Sequence, residues 1–372
     1  MNFRLLFDTA LRQLYRAIPG RPHRRGVILV SSGGIGDTIL FSAAAPYFAR
    51  LAEPGEAITV VTQAASAAVG FLLPPGFTQF PVNYRKFQRN RIYRALIGWR
   101  ISRLSARLCI ATDYLRHPLV DDAFVFFSDA PRRIGLEPKP WPKYVAALRA
   151  NLAFYDTIVP ITHAPMHRYM RWLHLATALA GESLPVRPIG GAVAGTREHP
   201  TECVVFHPFA STRTRQPPAE LFVRLLDRLP PGYRAVLSCG PGDLDRNPDF
   251  VGFAGDPRVT IDATSLAEKT ALLARASLVV SVDTSVMHLA AILGTPTLCI
   301  ASAAHVIDSV PYDPRMNAGN VRFILADVDC AGCLGNCNRA HAGERYPCVD
   351  AIGAETVEAA MRDALNAPEV AD

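Results

Sequence analysis

The stretch Val27–Asp37, which reads VILVSSGGIGD, decides the fold class. An aliphatic run rich in β-branched residues leads into a turn with three glycines, and small residues that suit a helix follow over Thr38–Leu51. A strand, a glycine turn and a helix in this order are typical of the start of a doubly wound α/β domain. The sequence therefore predicts a parallel sheet whose first strand begins at Val27.

The same pattern returns after Glu182–Thr201, a segment rich in glycine, proline and small polar residues that we interpret as a linker. Alternating strands and helices on both sides of a linker indicate an α/β protein with two Rossmann-like, doubly wound domains facing a cleft. We expect the domains at residues 1–185 and 186–352. Strands are predicted at 27–31, 58–62, 108–112, 202–206, 233–238, 278–282 and 297–301, and helices at 38–51, 168–181, 219–229 and 286–293.

The composition excludes several classes of protein. A chain of 372 residues, 49% hydrophobic and 19% charged, can bury the cores of about two domains and is not a disordered chain. No apolar run reaches the ~18 residues that a membrane-spanning helix needs. Residues 1–26 lack the continuous apolar core of a signal peptide. We therefore expect a soluble, cytoplasmic protein.

The net charge of +6 is unevenly distributed along the chain. Residues 1–25 contain six arginines and one acid, and residues 84–108 contain eight basic residues and no acid. Both segments interleave these charges with apolar side chains, as do helices that bind anionic membrane surfaces or phosphorylated ligands. Arg85, Lys86 and Arg89 are therefore candidate contacts to an anionic acceptor, with a solvated basic face as the alternative. No zinc-finger, RRM-like or basic-zipper pattern is present, so nucleic acid is not a predicted partner.

The glycine turn before Asp37 is the first motif that carries chemistry. Gly34 and Gly36 allow the backbone to approach a bound ligand, and the helix N-terminus that follows favours a negatively charged group. The glycine spacing differs from GxGxxG, and no dinucleotide site follows from it. Asp37 is either a helix cap or a functional carboxylate, and the motif by itself leaves both open.

Three further polar motifs follow predicted strands in the second half of the chain. Hydroxyl and arginine side chains after 202–206 are typical of a phosphate-binding loop, and an acid after 233–238 could bind ribose hydroxyls. A carboxylate, two hydroxyls and a histidine follow 278–282, where a helix N-terminus could bind phosphate. Helix capping and a solvated loop are the alternatives for individual motifs. The residues concerned are Ser211, Thr212, Arg215, Asp243, Asp283, Thr284, Ser285 and His288.

The motifs GGIGD, HPFASTRTR followed by PPAELF, and above all VSVDTSVMHLAAILGTPT resemble glycosyltransferase family 9, the ADP-heptose:lipopolysaccharide heptosyltransferase family. The resemblance extends from Val27 to a C-terminal helix near Glu355–Leu365. It implies a GT-B fold with an acceptor site in the N-terminal domain and a nucleotide-sugar site in the C-terminal domain. It also implies that the last segment, residues 353–372, forms a helix that packs back on the N-terminal domain.

The resemblance gives roles to residues where the motifs match. Asp37 resembles the general base that takes the proton of the acceptor hydroxyl, and Arg215 stands where the family usually has a lysine that contacts the donor phosphates. The other hydroxyl, acidic and histidine residues of the three motifs match donor-binding positions. In-line attack opposite the leaving diphosphate would invert the anomeric centre. Protein groups would stabilise the leaving group, so no metal or other cofactor is implied.

The sequence thus predicts an inverting glycosyltransferase that moves a heptose, or a related sugar, from an ADP-sugar to an anionic lipopolysaccharide-core acceptor. It would be peripherally associated with the inner face of the cytoplasmic membrane. Departures from the family pattern, including Pro217 for a tryptophan and Ser285 for a glycine, motivate a second hypothesis, a non-catalytic GT-B-like protein that binds nucleotides or glycans. A glycosyltransferase that modifies a protein is the third hypothesis.

Eight cysteines are too few for a disulfide scaffold in a chain of this length. Four of them lie singly in apolar runs, whereas Cys330, Cys333, Cys337 and Cys348 cluster near the C-terminus with His341 nearby. Their spacing approaches that of a structural metal site, but the fourth cysteine stands alone. Reduced or partly disulfide-bonded thiols are the preferred interpretation, a metal site is the alternative, and no metal ligand is assigned.

Overall fold

The computed structural model of the chain describes residues 3–20, 23–161, 165–191, 200–339 and 345–366. The chain divides into two units, Met1–Pro185 and Val186–Asp372. Each unit contains a six-stranded parallel sheet with helices packed against it, which confirms the predicted α/β class. Residues 192–199 of the predicted linker, His341 and the last six residues lie outside the described part of the chain.

The N-terminal unit has the strand order β3-β2-β1-β4-β5-β6, the order of a Rossmann sheet. Its strands are β1 (Val27–Val30), β2 (Ile58–Gln63), β3 (Phe77–Val82), β4 (Leu108–Ala111), β5 (Arg132–Leu136) and β6 (Thr157–Val159). Its helices are α1 (Phe3–Ala17), α2 (Ile35–Ala49), α3 (Tyr84–Arg89), α4 (Arg91–Arg103), α5 (Asp121–Ser128), α6 (Val145–Asn151) and α7 (Arg168–Ala180). Short 3-10 turns occupy Ala64–Leu72 and Leu152–Phe154.

The central strands form because their sequences are continuously apolar. Every residue of β1 and β4 is buried, as expected for strands covered on both faces of a parallel sheet. β1 pairs with β2 on one side and with β4 on the other, with Val27 opposite both Ile58 and Leu108. The chain reverses direction across the sheet between β1 and β4. This is the topological switch point, outside which ligands bind in such sheets.

Ion pairs attach the basic leader helix α1 to the rest of the N-terminal unit. Asp8 pairs with Arg94 of α4, and the carboxylate of Asp129 receives the guanidinium groups of Arg12, Arg16 and Arg24. Asp129 has a φ of 51° at the end of α5 and is 3% exposed. Much of the positive charge of the leader is therefore compensated internally.

The C-terminal unit has the order β12-β11-β10-β7-β8-β9, so β7 and β10 meet at its switch point. Its strands are β7 (Thr201–His207), β8 (Arg234–Ser238), β9 (Val259–Asp262), β10 (Ala276–Val282), β11 (Thr297–Ile300) and β12 (Val321–Ile324). Its helices are α8 (Ala219–Asp227), α9 (Asp243–Arg246), α10 (Val251–Ala254), α11 (Leu266–Arg275), α12 (Ser285–Ile292), α13 (Pro347–Asp350) and α14 (Ala354–Asn366). Short 3-10 turns lie at Arg213–Arg215, Pro248–Phe250 and Ala303–His305.

The C-terminal helix α14 packs within the C-terminal unit, against α8, β10 and β11. Val357, Ala360 and Met361 are fully buried in the core of that unit, and Glu358 pairs with Arg224 of α8 at 2.6 Å. The apolar face of the helix fits the apolar surface that α8 and the sheet present to it. The expected packing of residues 353–372 on the N-terminal domain stays a prediction.

Within the described ranges, no helix is long and apolar enough to cross a membrane.

Candidate active site

Asp37 lies in the first turn of α2, directly after the glycine turn that follows β1. Its Oδ2 accepts a hydrogen bond from the backbone N–H of Gly34 at 2.8 Å, and its Oδ1 forms an ion pair with Arg168, the first residue of α7. The carboxylate is 26% exposed. Asp37 thus caps the helix, and its carboxylate is also oriented and partly exposed, so the cap does not exclude the predicted functional role.

Gly33 is required by this arrangement. A Cβ at that position would lie 2.6 Å from Oδ2 and 2.7 Å from Cγ of Asp37, and closer still to its Cβ. At Gly34 the nearest atom to a Cβ would be Asp37 Oδ2, at 3.9 Å. Of these two turn glycines, Gly33 is therefore the one without room for a side chain, because the carboxylate of Asp37 folds back over it.

A pair of buried carboxylates flanks the same switch point on the β4 side. Asp113, just after β4, accepts a hydrogen bond from the backbone N–H of Ser32 at 2.7 Å and so supports the turn before Asp37. Burial raises the pKa of Asp113, against the lowering effect of Arg168. Burial and the charge of Asp113 together raise the pKa of Asp121, at the start of α5, to about 7. Asp37, Asp113 and Asp121 thus form a cluster of three carboxylates at this switch point, and the last two are buried.

The structure separates the basic segment 84–108 into structural and exposed residues. Arg94 is buried against Asp8, and Arg107 binds Glu56 through hydrogen bonds of 2.8–3.0 Å. These two arginines form structural ion pairs, so part of the charge of the segment belongs neither to a ligand site nor to a solvated face. The predicted acceptor contacts lie on α3, where the residues Arg85, Lys86 and Arg89 are exposed.

In the C-terminal unit, Arg215 connects the loop after β7 with the end of β10. Its Nη2 donates to Ser211 Oγ at 2.8 Å, its Nε lies 3.4 Å from Thr212 Oγ1, and its Nη1 lies 3.6 Å from Asp283 Oδ2. The guanidinium side chain is 17% exposed. The structure therefore brings four of the predicted donor-binding residues together at the switch point.

Asp283 and His288 face each other at the start of α12. His288 Nε2 lies 3.6 Å from Asp283 Oδ1, and its Nδ1 is 2.7 Å from the hydroxyl of Tyr312. Burial raises the pKa of Asp283, but His288 and the charge of Arg215 outweigh it, and the pKa lies below its usual value. Asp283 is therefore an ionised, buried carboxylate that binds one cation directly and fixes an imidazole.

The N-terminus of α12 adds donors to the same place. Thr284 is the N-cap in an extended conformation, and its side chain makes no capping hydrogen bond; Ser285 begins the helix. The first N–H groups of a helix have no partner within the helix and carry partial positive charge. Together with Arg215 they form a site suited to an anionic group such as a diphosphate.

Asp243 follows the neighbouring strand β8. Its carboxylate accepts hydrogen bonds from Gly240 N at 2.5 Å and from Arg246 Nη2 at 2.6 Å, and so closes its own loop. His207, at the end of β7, bonds to the carbonyl of Ser238 at 2.8 Å, and burial lowers its pKa to about 4. His207 is therefore neutral at physiological pH and holds β7 to the β8 loop.

The four C-terminal cysteines line one cavity of about 100 Å³. All eight cysteines are free thiols, and Cys348 is buried. Within the described residues, no group of three or more histidine, cysteine or acidic side chains has the arrangement of a metal site. His341, which stood near this cluster in the sequence, lies outside the described residues.

Three residues of these sites escaped the sequence analysis. Arg168 opens a helix that was predicted for its apolar pattern, and Asp113 follows a strand without a glycine turn to mark it. Tyr312 lies in a loop and is buried against His288. For Asp113 the signal was its position at the end of a buried strand adjacent to β1; Arg168 and Tyr312 carry no local signal.

Two Rossmann-type sheets, each with polar side chains at the carboxyl ends of its central strands, form the architecture of the GT-B fold. The Escherichia coli heptosyltransferase WaaC with ADP has this fold, at 20% identity and a TM-score of 0.66, covering 91% of this chain and 99% of that chain. The structure of Escherichia coli WaaC with ADP-2-deoxy-2-fluoro heptose is 21% identical with a TM-score of 0.62, and the match covers 83% of this chain and 97% of that chain. Escherichia coli ADP-heptose LPS heptosyltransferase II is 17% identical with a TM-score of 0.60, and the match covers 91% of this chain and 98% of that chain.

The family follows from the sequence of the C-terminal half. Residues 173–324 match the model of glycosyltransferase family 9 (heptosyltransferase). Over these residues the match agrees with the family that the motifs predicted, and the protein is a glycosyltransferase. No curated protein sequence matches the chain.

Proposed function

We propose that the protein is an inverting glycosyltransferase that transfers a heptose, or a closely related sugar, from an ADP-sugar to the core of an anionic lipopolysaccharide. The observation that carries this proposal is the group of Arg215, Asp283 and His288 at the switch point of the C-terminal unit. There a cation, a helix N-terminus and an ionised carboxylate converge at the place where α/β sheets bind nucleotides.

The donor side has the chemistry that departure of a nucleoside diphosphate requires. Negative charge develops on the diphosphate as the glycosidic bond breaks, and donors that are already oriented stabilise it most effectively. Arg215 is held by Ser211 and Asp283, so its guanidinium needs little reorganisation. The N–H groups at the start of α12 are further hydrogen-bond donors, so stabilisation of the diphosphate does not require a metal ion.

The N-terminal unit supplies the base in this proposal. Arg168 and the Gly34 N–H each occupy one oxygen of Asp37, and each oxygen keeps a further lone pair that can accept the proton of the acceptor hydroxyl. Attack by that hydroxyl from the side opposite the diphosphate inverts the anomeric centre. Asp37 accepts the proton as the new bond forms, which requires only that it lie within hydrogen-bond reach.

The relatives support an ADP-sugar as donor. The WaaC structures contain ADP and ADP-2-deoxy-2-fluoro heptose. The exposed residues Arg85, Lys86 and Arg89 support an anionic acceptor. Since such an acceptor is membrane-borne while it is being built from cytoplasmic nucleotide-sugars, we place the protein at the inner face of the cytoplasmic membrane.

Thermal unfolding with ADP, UDP, GDP and CMP tests the donor site. Ligand at ~100 times its Kd adds about 2.7 kcal/mol to the free energy of unfolding. At ~2–4 °C per kcal/mol for a domain of this size, ADP is expected to raise the Tm by several degrees. Asp283→Ala and Arg215→Ala should abolish the increase, and the neighbouring Arg213→Ala, which removes the same charge from the loop, should retain it.

Transfer from ADP-heptose to heptose-deficient lipopolysaccharide core tests the reaction. Asp37→Asn should retain the ADP-dependent increase in Tm and lose transfer, and the product should have the inverted anomeric configuration by NMR. A Tm increase with a different nucleotide would reject the ADP-sugar. No increase with any nucleotide would favour the non-catalytic hypothesis.

A further inference from the structure

Tyr312 is a buried residue next to the candidate donor site that neither the family motifs nor the proposed reaction uses. It lies in the loop between β11 and β12 and is 4% exposed. Its hydroxyl oxygen is 2.7 Å from Nδ1 of His288, and the two rings stack at 24° with their centroids 5.8 Å apart. Phe323 of β12 packs edge-on against Tyr312 at 4.9 Å. The phenol is therefore held between two rings and directed at the histidine.

The surroundings of the imidazole determine which of its nitrogens carries the proton. Nε2 lies 3.6 Å from Oδ1 of Asp283, an ionised carboxylate that can only accept a hydrogen bond. The carboxylate therefore favours the proton of a neutral imidazole on Nε2, which leaves Nδ1 with a lone pair. Burial raises the pKa of Tyr312 well above its usual value, so its O–H is present to donate to that lone pair.

A second acceptor near the phenol is too weak to change this assignment. Sδ of Met287 lies 3.6 Å from the hydroxyl oxygen. A thioether sulfur is a weak acceptor, whereas the imidazole nitrogen at 2.7 Å lies at the distance of a normal hydrogen bond. The O–H of Tyr312 therefore donates to His288, and it fixes both the orientation and the tautomer of the imidazole.

The N–H at Nε2 is available to a ligand. Its distance of 3.6 Å from Asp283 is long for a hydrogen bond, and Nε2 makes none with the residues that the structure describes. Nη1 of Arg215 lies 3.6 Å from the other oxygen of the same carboxylate, so the imidazole and the guanidinium are neighbours. Two N–H donors at one place suit the oxygens of a diphosphate.

We propose that Tyr312 is a positioning residue of the donor site, whose O–H fixes the His288 imidazole so that the N–H at Nε2 is presented to the diphosphate of the nucleotide-sugar. His288 then serves the leaving group as a hydrogen-bond donor and not as a proton acceptor. The inference deepens the proposed function and rests on it for the identity of the ligand, whereas the bond between Tyr312 and His288 does not depend on a ligand.

A double-mutant cycle on ADP affinity, measured by calorimetric titration of the full chain, tests the proposal. Tyr312→Phe removes the hydroxyl and keeps the ring, so the packing on Phe323 is retained. It should weaken ADP binding about tenfold, because one hydrogen bond to the imidazole is lost. In the His288→Ala background the same change should weaken binding less than about twofold, since the hydroxyl acts through the imidazole. Equal weakening in both backgrounds, or none in either, would overturn the proposal.

The matched control is Tyr15→Phe. Tyr15 is 5% exposed, and its hydroxyl donates to the carbonyl of Ala95 at 2.6 Å in the N-terminal unit. The control removes an equally buried, hydrogen-bonded hydroxyl and should leave ADP affinity unchanged. A loss of affinity equal to that of Tyr312→Phe would assign the effect to general destabilisation and overturn the proposal.

The tautomer gives a second readout that requires no ligand. Proton–nitrogen correlation spectra of the chain with isotope-labelled histidine distinguish protonated from unprotonated ring nitrogens, and His288→Ala identifies the signals of His288. At mildly alkaline pH we expect the proton on Nε2 alone, and a proton on Nδ1 would overturn the proposal. If the spectra show this tautomer and the wild type does not bind ADP, the proposed donor fails and the positioning of His288 stands. If the wild type binds ADP without coupling in the cycle, the donor stands and the role of Tyr312 fails.

Discussion

The glycine turn before Asp37 provides the sharpest test of the site. A Cβ on Gly33 would overlap the side chain of Asp37, with 2.6 Å to Oδ2 and 2.7 Å to Cγ. In Gly33→Ala the carboxylate must therefore rotate away, and its bonds to Gly34 N and to Arg168 are lost. Overpacking costs about 1–3 kcal/mol and a lost helix cap about 1 kcal/mol, so the free energy of unfolding should fall by about 2–4 kcal/mol.

Gly34→Ala is the matched variant, since it adds the same methyl group one residue away. Its nearest neighbour would be at 3.9 Å, so the free energy of unfolding should change by less than about 1 kcal/mol. Urea unfolding measures both. Gly33→Ala should also lower kcat by roughly 100-fold, because the base is misplaced, while the Tm increase with ADP is retained. Equal stability of the two variants, or wild-type turnover in Gly33→Ala, would refute the position of Asp37 described above.

Three further predictions concern buried charges. Burial and Asp113 raise the pKa of Asp121 from 3.8 to about 7, so the stability that its protonated form provides is present at low pH and lost as the pH rises through this range. In urea titrations, the free energy of unfolding of the wild type should fall by roughly 4 kcal/mol relative to Asp121→Asn as the pH rises from 3.8 to about 7. Burial lowers the pKa of His207 from 6.5 to about 4. In urea titrations, the free energy of unfolding of the wild type should therefore fall by roughly 3 kcal/mol as the pH decreases across this interval, and that of His207→Gln should not. Asp8→Asn leaves Arg94 charged and buried, so it should lower the free energy of unfolding by about 3–5 kcal/mol. The double variant Asp8→Asn with Arg94→Met should restore most of this stability. A loss below about 1 kcal/mol for Asp8→Asn in chemical denaturation would contradict the packing of α1 described above.

Local patterns predicted the central strands and the best-marked helices to within a few residues. The helix predicted at 168–181 is observed as Arg168–Ala180, and Gly181 adopts the left-handed conformation, with a φ of 71°, that stops it. The strand predicted at 278–282 is observed as Ala276–Val282. These elements carry their signal in a few neighbouring residues, through continuous apolar runs and glycine turns.

The sequence did not predict five of the strands, which are β3, β5, β6, β9 and β12, and two of them show the physical reasons. β3 lies at the edge of its sheet, contains Pro81, and has Val82 as its one buried residue. β5 begins with Arg132 and Arg133. Edge strands need less apolar surface, because one side faces solvent. The charge pattern of the basic segment also could not show that Arg94 is buried, because its partner Asp8 is distant in the sequence.

The sequence by itself determined the two Rossmann-like units, the strand ends on which the polar side chains lie, and the family of the C-terminal half. Only the tertiary structure decided that Arg168 pairs with Asp37, that Arg215 joins Ser211 to Asp283, and that α14 packs within the C-terminal unit. The difference is one of range. Backbone periodicity and turn chemistry are encoded by neighbouring residues, whereas the pairing of distant side chains depends on how the elements pack.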